Sequence, residues 1–178
     1  MSSEGLGLNL AGADLTDVGF DALPSATYHC SIVKLEMRKT KGGGNSVLPA
    51  GTPMINVQVK VEQDTVEDAD GTEVKCKNRR FFRSLIIAPA KVNGKNYEHK
   101  KTMDRMLGQF FKCLGYSEDE ILSGDFNPDF DDQKGKELLV TVGQKPKYGT
   151  DPDDEIMDNE VKGFRPYGGD SKSSPELV

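Results

Sequence analysis

The sequence predicts a mainly β protein of five strands with one principal helix between the third and fourth. Three observations carry this. Several separate runs alternate apolar and polar residues at period two, and only the stretch 100–114 carries a long helical stripe. The first strand slips phase once, as a bulged and bent strand does. At 178 residues the chain suits one core, burying roughly 70% of the surface that the unfolded form exposes.

Residues 1–26 are rich in Gly, Ala, Ser and Asp and read as a flexible N-terminal arm, with Val18, Phe20 and Leu23 as points of attachment. The domain proper spans 27–167. In its first strand the apolar positions are Tyr28, Cys30 and Ile32, then Val33, Leu35 and Met37, so one extra residue sits at 32–33. Lys39-Thr40-Lys41-Gly42-Gly43-Gly44-Asn45 forms a flexible basic loop, prolonged by Pro49, Gly51 and Pro53. The second strand, Ile55 to Glu62, has the clearest alternation, with one face buried and one wet. An acidic turn at 64–73 holds the hairpin pair Asp70-Gly71. The third strand runs from Lys75 to Ile87, and Pro89 stops it.

Met103, Met106, Leu107, Phe110, Phe111 and Leu114 share one helical stripe, ended by Gly115. Ser117 and Glu120 have the spacing of a capping box that opens a short second helix. An acidic loop follows, then a strand at 136–142, a polar loop at 144–158, and a last strand at 159–165 stopped by Pro166. Residues 168–178 read as a disordered tail. This order, with a bent first strand and a helix between strands three and four, is that of the OB-fold, a five-stranded Greek-key barrel.

The net charge is −6, which disfavours a general duplex binder. One segment runs against that balance. From 75 to 83 stand Lys75, Lys77, Arg79, Arg80 and Arg83, with Phe81 and Phe82 and no acid. Cations attract phosphates and aromatic rings stack unpaired bases, so the ligand expected is a single-stranded nucleic acid. The plain alternative is a solvated strand with one ring in the core. The OB order favours the first reading, because it brings this strand to the face where the strand 1–2 and strand 4–5 loops also lie. Arg38, Lys39 and Lys41 would grip phosphates from the first loop, Lys145 and Lys147 would close the far side, and Tyr148 is a second stacking candidate. Uninterrupted alternation from Lys75 turns Phe81 to the ligand and Phe82 to the core, with Tyr28 also in the core.

Other chemistry finds little support. His29 and His99 are the only histidines, and no nucleophile elbow, phosphate loop or zinc-protease motif occurs, so the protein is expected not to be an enzyme. Asp125 to Asp131 imitates the start of a calcium loop, but Phe130 stands where glycine is needed and Lys136 where a bidentate Glu is needed. No metal and no cofactor are expected. Cys30, Cys76 and Cys113 are too scattered for a zinc site, and Cys30 and Cys113, within apolar patterns, read as reduced core thiols of a cytoplasmic protein. No apolar run reaches the ~20 residues of a membrane span, and the first residues lack the pattern of a signal peptide. Acids cluster at 62–73, 117–132 and 151–160, which supports an alternative function as an acidic protein-interaction module or DNA-mimic inhibitor.

A set of short motifs has a familiar arrangement: Leu23-Pro24 leading into Tyr28, Lys39-Thr40-Lys41-Gly42, Arg80-Phe81-Phe82, Leu107-Gly108 with Leu114-Gly115, Gly135-Lys136-Glu137-Leu138, and Asn159-Glu160-Val161-Lys162-Gly163-Phe164. On these, the stretch from Tyr28 to Tyr167 resembles the phage-encoded single-stranded DNA-binding proteins. The resemblance implies an OB-fold protein that coats and protects single-stranded DNA during phage replication or recombination, in the host bacterial cytoplasm. Implied partners are single-stranded DNA and a phage recombinase, polymerase or helicase; a homodimer is compatible with the sequence. One feature departs from many such proteins: the chain ends Ser174-Pro175-Glu176-Leu177-Val178, without an acidic tail tipped by an aromatic residue.

Overall fold

A computed structural model describes residues 21–42, 47–147 and 157–168. The fold is mainly β. Strands β1 (Ala26–Lys39), β2 (Pro53–Val61), β5 (Arg80–Ile86), β8 (Glu137–Pro146) and β9 (Met157–Pro166) form one antiparallel sheet in the order β5-β2-β1-β8-β9. Two small hairpins stand outside it, β3 (Thr65–Glu67) with β4 (Glu73–Lys75) and β6 (Lys91–Val92) with β7 (Lys95–Asn96). Helix α1 (Lys100–Cys113) and the single turn α2 (Glu118–Ile121) lie between β7 and β8.

The sheet curls until its two edges approach. Helix α1 packs against both β5 and β9, Phe110 meets Phe164 edge-on with ring centres 5.0 Å apart, and Arg83 Nη1 on β5 lies 3.9 Å from Glu160 Oε1 on β9. Among the described residues no ladder of hydrogen bonds joins these two strands.

The phase slip in the first strand is a bulge. Ile32 pairs with Val59 and Lys34 with Gln58, leaving Val33 as the extra residue. Tyr28, Cys30 and Ile32 therefore point inward before the bulge and Leu35 after it, while Lys34, Glu36 and Arg38 point outward. The core is completed by Ile55, Val57, Val59 and Val61, by Leu138, Val140 and Val142, and by Phe110, Phe111 and Leu114 of the helical side. Gly115 ends the helix with φ +98°, a conformation only glycine adopts freely. Ser117 and Glu120 form the capping box, each side chain accepting the other's backbone N–H, at 3.2 and 3.1 Å.

The third strand departs from expectation. The run from Lys75 to Ile87 is broken by a turn at Lys77-Asn78, where Asn78 takes φ +65° and donates its N–H to Val61 O at 2.8 Å. Lys75 belongs to β4, and alternation restarts at Arg80. Phe81 is consequently buried at 3% exposure against Tyr28 (ring centres 5.3 Å), and Phe82 is 67% exposed. The expected stacking role of Phe81 is overturned, and the two phenylalanines exchange places.

Three smaller differences have local causes. The β6–β7 hairpin turns on Asn93-Gly94, both at positive φ (50° and 78°), the geometry of a tight hairpin turn. The polar loop is shorter than expected because β8 and β9 run on together to Pro146 and Met157. Among the described residues packing reaches Leu23, ahead of residue 27: Leu23 is 1% exposed, its N–H donates to Asn159 Oδ1 (2.8 Å), and its carbonyl accepts from Asn159 Nδ2 and Gln144 Nε2. Val18 and Phe20 lie outside the described residues.

All three cysteines are free. Burial pushes the thiols of Cys30 and Cys113 up to about 12, and raises that of Cys76. Folded and unfolded chains both keep these protons below about pH 8; above it the unfolded thiols ionise first, so stability falls as pH rises. Thermal melts at about pH 8 and about pH 10 should show a lower Tm at the higher pH, and a native chain as stable at both would contradict this.

Candidate nucleic-acid interface

The bulge at Val33 and the turn at Asn78 together build one outer face on β1, β2 and β5. Antiparallel pairing sets its side chains in rows across the three strands: Ser31–Lys60–Arg80, Lys34–Gln58–Phe82, Glu36–Asn56–Ser84 and Arg38–Met54–Ile86. Phe82 lies in a shallow cleft of ≈ 250 Å³ whose walls include Lys34, Glu36, Arg38, Gln58 and Ser84. A lone exposed apolar residue needs no special explanation. Here, however, the ring stands among polar side chains, with Lys34, Lys60 and Arg80 in its own and a flanking row and Arg38 on the wall of its cleft.

The one acid of the Phe82 cleft is neutralised. Glu36 pairs with Arg38 at 2.8 Å and Lys34 at 3.4 Å, and the Arg38 hydrogen bond holds its carboxyl below the usual range. Beyond the next row Glu62 accepts from the Ser31 hydroxyl, which lowers it likewise, and lies 3.7 Å from Lys60. Arg80 is exposed and makes no ion pair among the described residues. The face thus offers cations around an aromatic platform, with Asn56, Gln58 and Ser84 as neutral hydrogen-bonding groups.

The residues singled out from sequence divide. Arg38 and Arg80 stand on this face. Lys39 and Lys41 are exposed where β1 runs out into the basic loop, and the loop tip at 43–46 lies outside the described residues. Gly42, at φ +70°, holds the loop base: a Cβ there would meet Ala50 N at 2.9 Å. Lys75 and Lys77 do not join the face. Lys75 faces Thr65 in the small hairpin, and Lys77 pairs with Asp64 at 3.6 Å. Arg79 turns to the N-terminal segment, its Nη2 donating to Asp21 O at 2.7 Å. These three corrections share one cause, the turn that divides 75–83 between two sheets.

Arg83 shares the inward parity of Phe81 and Leu85 and reaches out between the sheet edges to Glu160, leaving its buried Nε without a partner. Lys145 belongs to the same neighbourhood: Glu160 is held below the usual carboxylate range by its 2.6 Å bond to Lys162, then by Lys145 and Arg83. Lys147 follows β8 and is exposed, and Tyr148 lies outside the described residues. Sequence reasoning missed Lys34, Lys60, Asn56, Gln58 and Phe82. The wet positions of the second strand were a usable signal, but their neighbours depend on register.

Among the described residues no group of three or more His, Cys, Asp or Glu could hold a metal ion, and no helix is long and apolar enough to cross a membrane. In the loop that imitates a calcium site, Asp129 Oδ1 instead accepts the backbone N–H of Asp131 at 2.9 Å. No curated protein matches the chain. A family model described as "Protein of unknown function (DUF669)" matches residues 9–175, and by that near-complete span the chain belongs to the DUF669 family.

Proposed function

We propose that this is a non-enzymatic single-stranded nucleic-acid-binding protein whose groove is the outer face of β1, β2 and β5. The reading rests on one observation above all: Phe82, 67% exposed, is surrounded by the cations of its own row, a flanking row and its cleft wall in an otherwise acidic chain. In this reading an unpaired base stacks on Phe82 while Lys34, Arg38, Lys60 and Arg80 hold the phosphates. A paired base would keep its face inside the duplex stack, so the platform favours single strands. The curled sheet is read as an OB barrel, on its strand order and on the close approach of β5 and β9. Coating and protection of strands in phage replication or recombination, in a bacterial cytoplasm and beside a recombinase, polymerase or helicase, is supported by the motif resemblance.

Fluorescence anisotropy with a labelled oligonucleotide of about 30 bases, single-stranded and duplex, tests the reading. Binding should favour the single strand, and four phosphate contacts should give a log-log salt slope of about −3. Equal binding of the duplex, or a slope near zero, would contradict the groove. No binding of either would favour the acidic interaction module.

A further inference from the structure

The outer face does not end at Arg80. Beyond the row Ser31–Lys60–Arg80 lies a second cleft of ≈ 400 Å³, lined by those residues with Val33, Glu62 and Glu137. At its far side Glu137 bonds His29 Nε2 at 3.0 Å. The imidazole of His29 is stacked on Tyr167, with ring centres 3.8 Å apart and planes 5° from parallel. Tyr167 is 46% exposed although one face of its ring is stacked on His29. His29 also shares a cross-strand row with Leu139 and Arg165, which point outward because Leu138 and Phe164 point inward. An exposed ring with an arginine two residues away in sequence therefore occurs twice, as Phe82 with Arg80 and as Tyr167 with Arg165.

From the stacked pair and the connecting cleft we infer that Tyr167, backed by His29, is a second base-stacking position of the same groove. A bound strand runs from Phe82, past Lys60 and Arg80, to Tyr167. The inference rests on the single-strand reading and adds a length and a second anchor to it. Strand spacing of ~4.8 Å and rise of ~3.4 Å per residue place Phe82 and His29 roughly 15–20 Å apart. That span is about five nucleotides at the 3.4 Å stacked spacing, and fewer if the strand is stretched. Glu62 and Glu137 lie along the cleft but are engaged with Ser31 and His29. The phosphates then track the Lys60–Arg80 side. His29 fixes the orientation of the tyrosine ring from beneath, so the platform is ordered before a base arrives.

The test measures binding of (dT)15 to the full chain carrying Tyr167→Ala, Tyr167→Phe or Phe82→Ala, with thermal melts alongside. Tyr167→Ala should weaken binding about 5- to 150-fold, the range of one lost stacking contact. Tyr167→Phe should keep near-native affinity, because the ring and not the hydroxyl is used. Affinity against oligonucleotide length should also level off at shorter lengths in Tyr167→Ala than in the native chain. Native affinity in Tyr167→Ala, with Phe82→Ala impaired, would overturn the second platform and leave the groove standing. If the native chain binds no oligonucleotide, the groove and the second platform fall together.

Discussion

Phe81→Ala is expected to destabilise the fold by about 3–5 kcal/mol, the cost of deleting a buried aromatic ring. Phe81 is 3% exposed, lies against Tyr28, and pairs with Val59 across β2 and β5. Its removal opens a cavity on the inward side of an edge strand. Helix α1 packs on that same strand, so the loss reaches two layers. Since small domains hold only about 5–15 kcal/mol in total, the urea midpoint should drop steeply. At concentrations where the variant stays folded, oligonucleotide affinity should change little. An unchanged midpoint would show that the ring is not in the core.

Phe82→Ala is expected to do the reverse. The ring is 67% exposed and supports no buried neighbour, so stability should stay within about 0.5 kcal/mol of native. Single-strand affinity should fall by about 1–3 kcal/mol, the worth of one base on an aromatic ring, or roughly 5- to 150-fold. Phe82→Tyr should keep most of the affinity. Salt dependence should be nearly unchanged in Phe82→Ala, because no phosphate contact is lost; Arg80→Ala should instead flatten the slope by about 0.7. The two adjacent phenylalanines thus form a matched pair of measurements. Full affinity in Phe82→Ala would remove the groove's central feature.

Much of the fold is legible because it is written in local periods. The slip at Val33, the stripe of α1 and the Ser117–Glu120 cap each lie within a few residues of their cause. The Asn93-Gly94 hairpin went unread, although that dipeptide favours the positive φ of both its turn residues. The candidate site was less so, for two physical reasons. A strand's facing is fixed only relative to its last irregularity, and the left-handed turn at Asn78 carries a weak signal because asparagine is merely enriched in that conformation. The rows that place Lys34 and Gln58 beside Phe82 come from pairing between segments far apart in sequence. The polar ends of β8 and β9 show no hydrophobic alternation, so their pairing at Lys145 and Asp158 left no mark in composition.

The extra residue at Val33 gives β1 its bend and leaves the facing of its two halves unaltered. Losing that single codon would leave Ile32 against Val59 facing inward and Lys34 against Gln58 facing outward, so both halves of the strand would keep their facing and only the bend would go. A one-residue deletion there should therefore be milder than one inside β2, which pairs with β5 without irregularity and would turn part of its side chains over. An exchange of Val33 for another hydrophobic side chain would leave the facing of the strand intact.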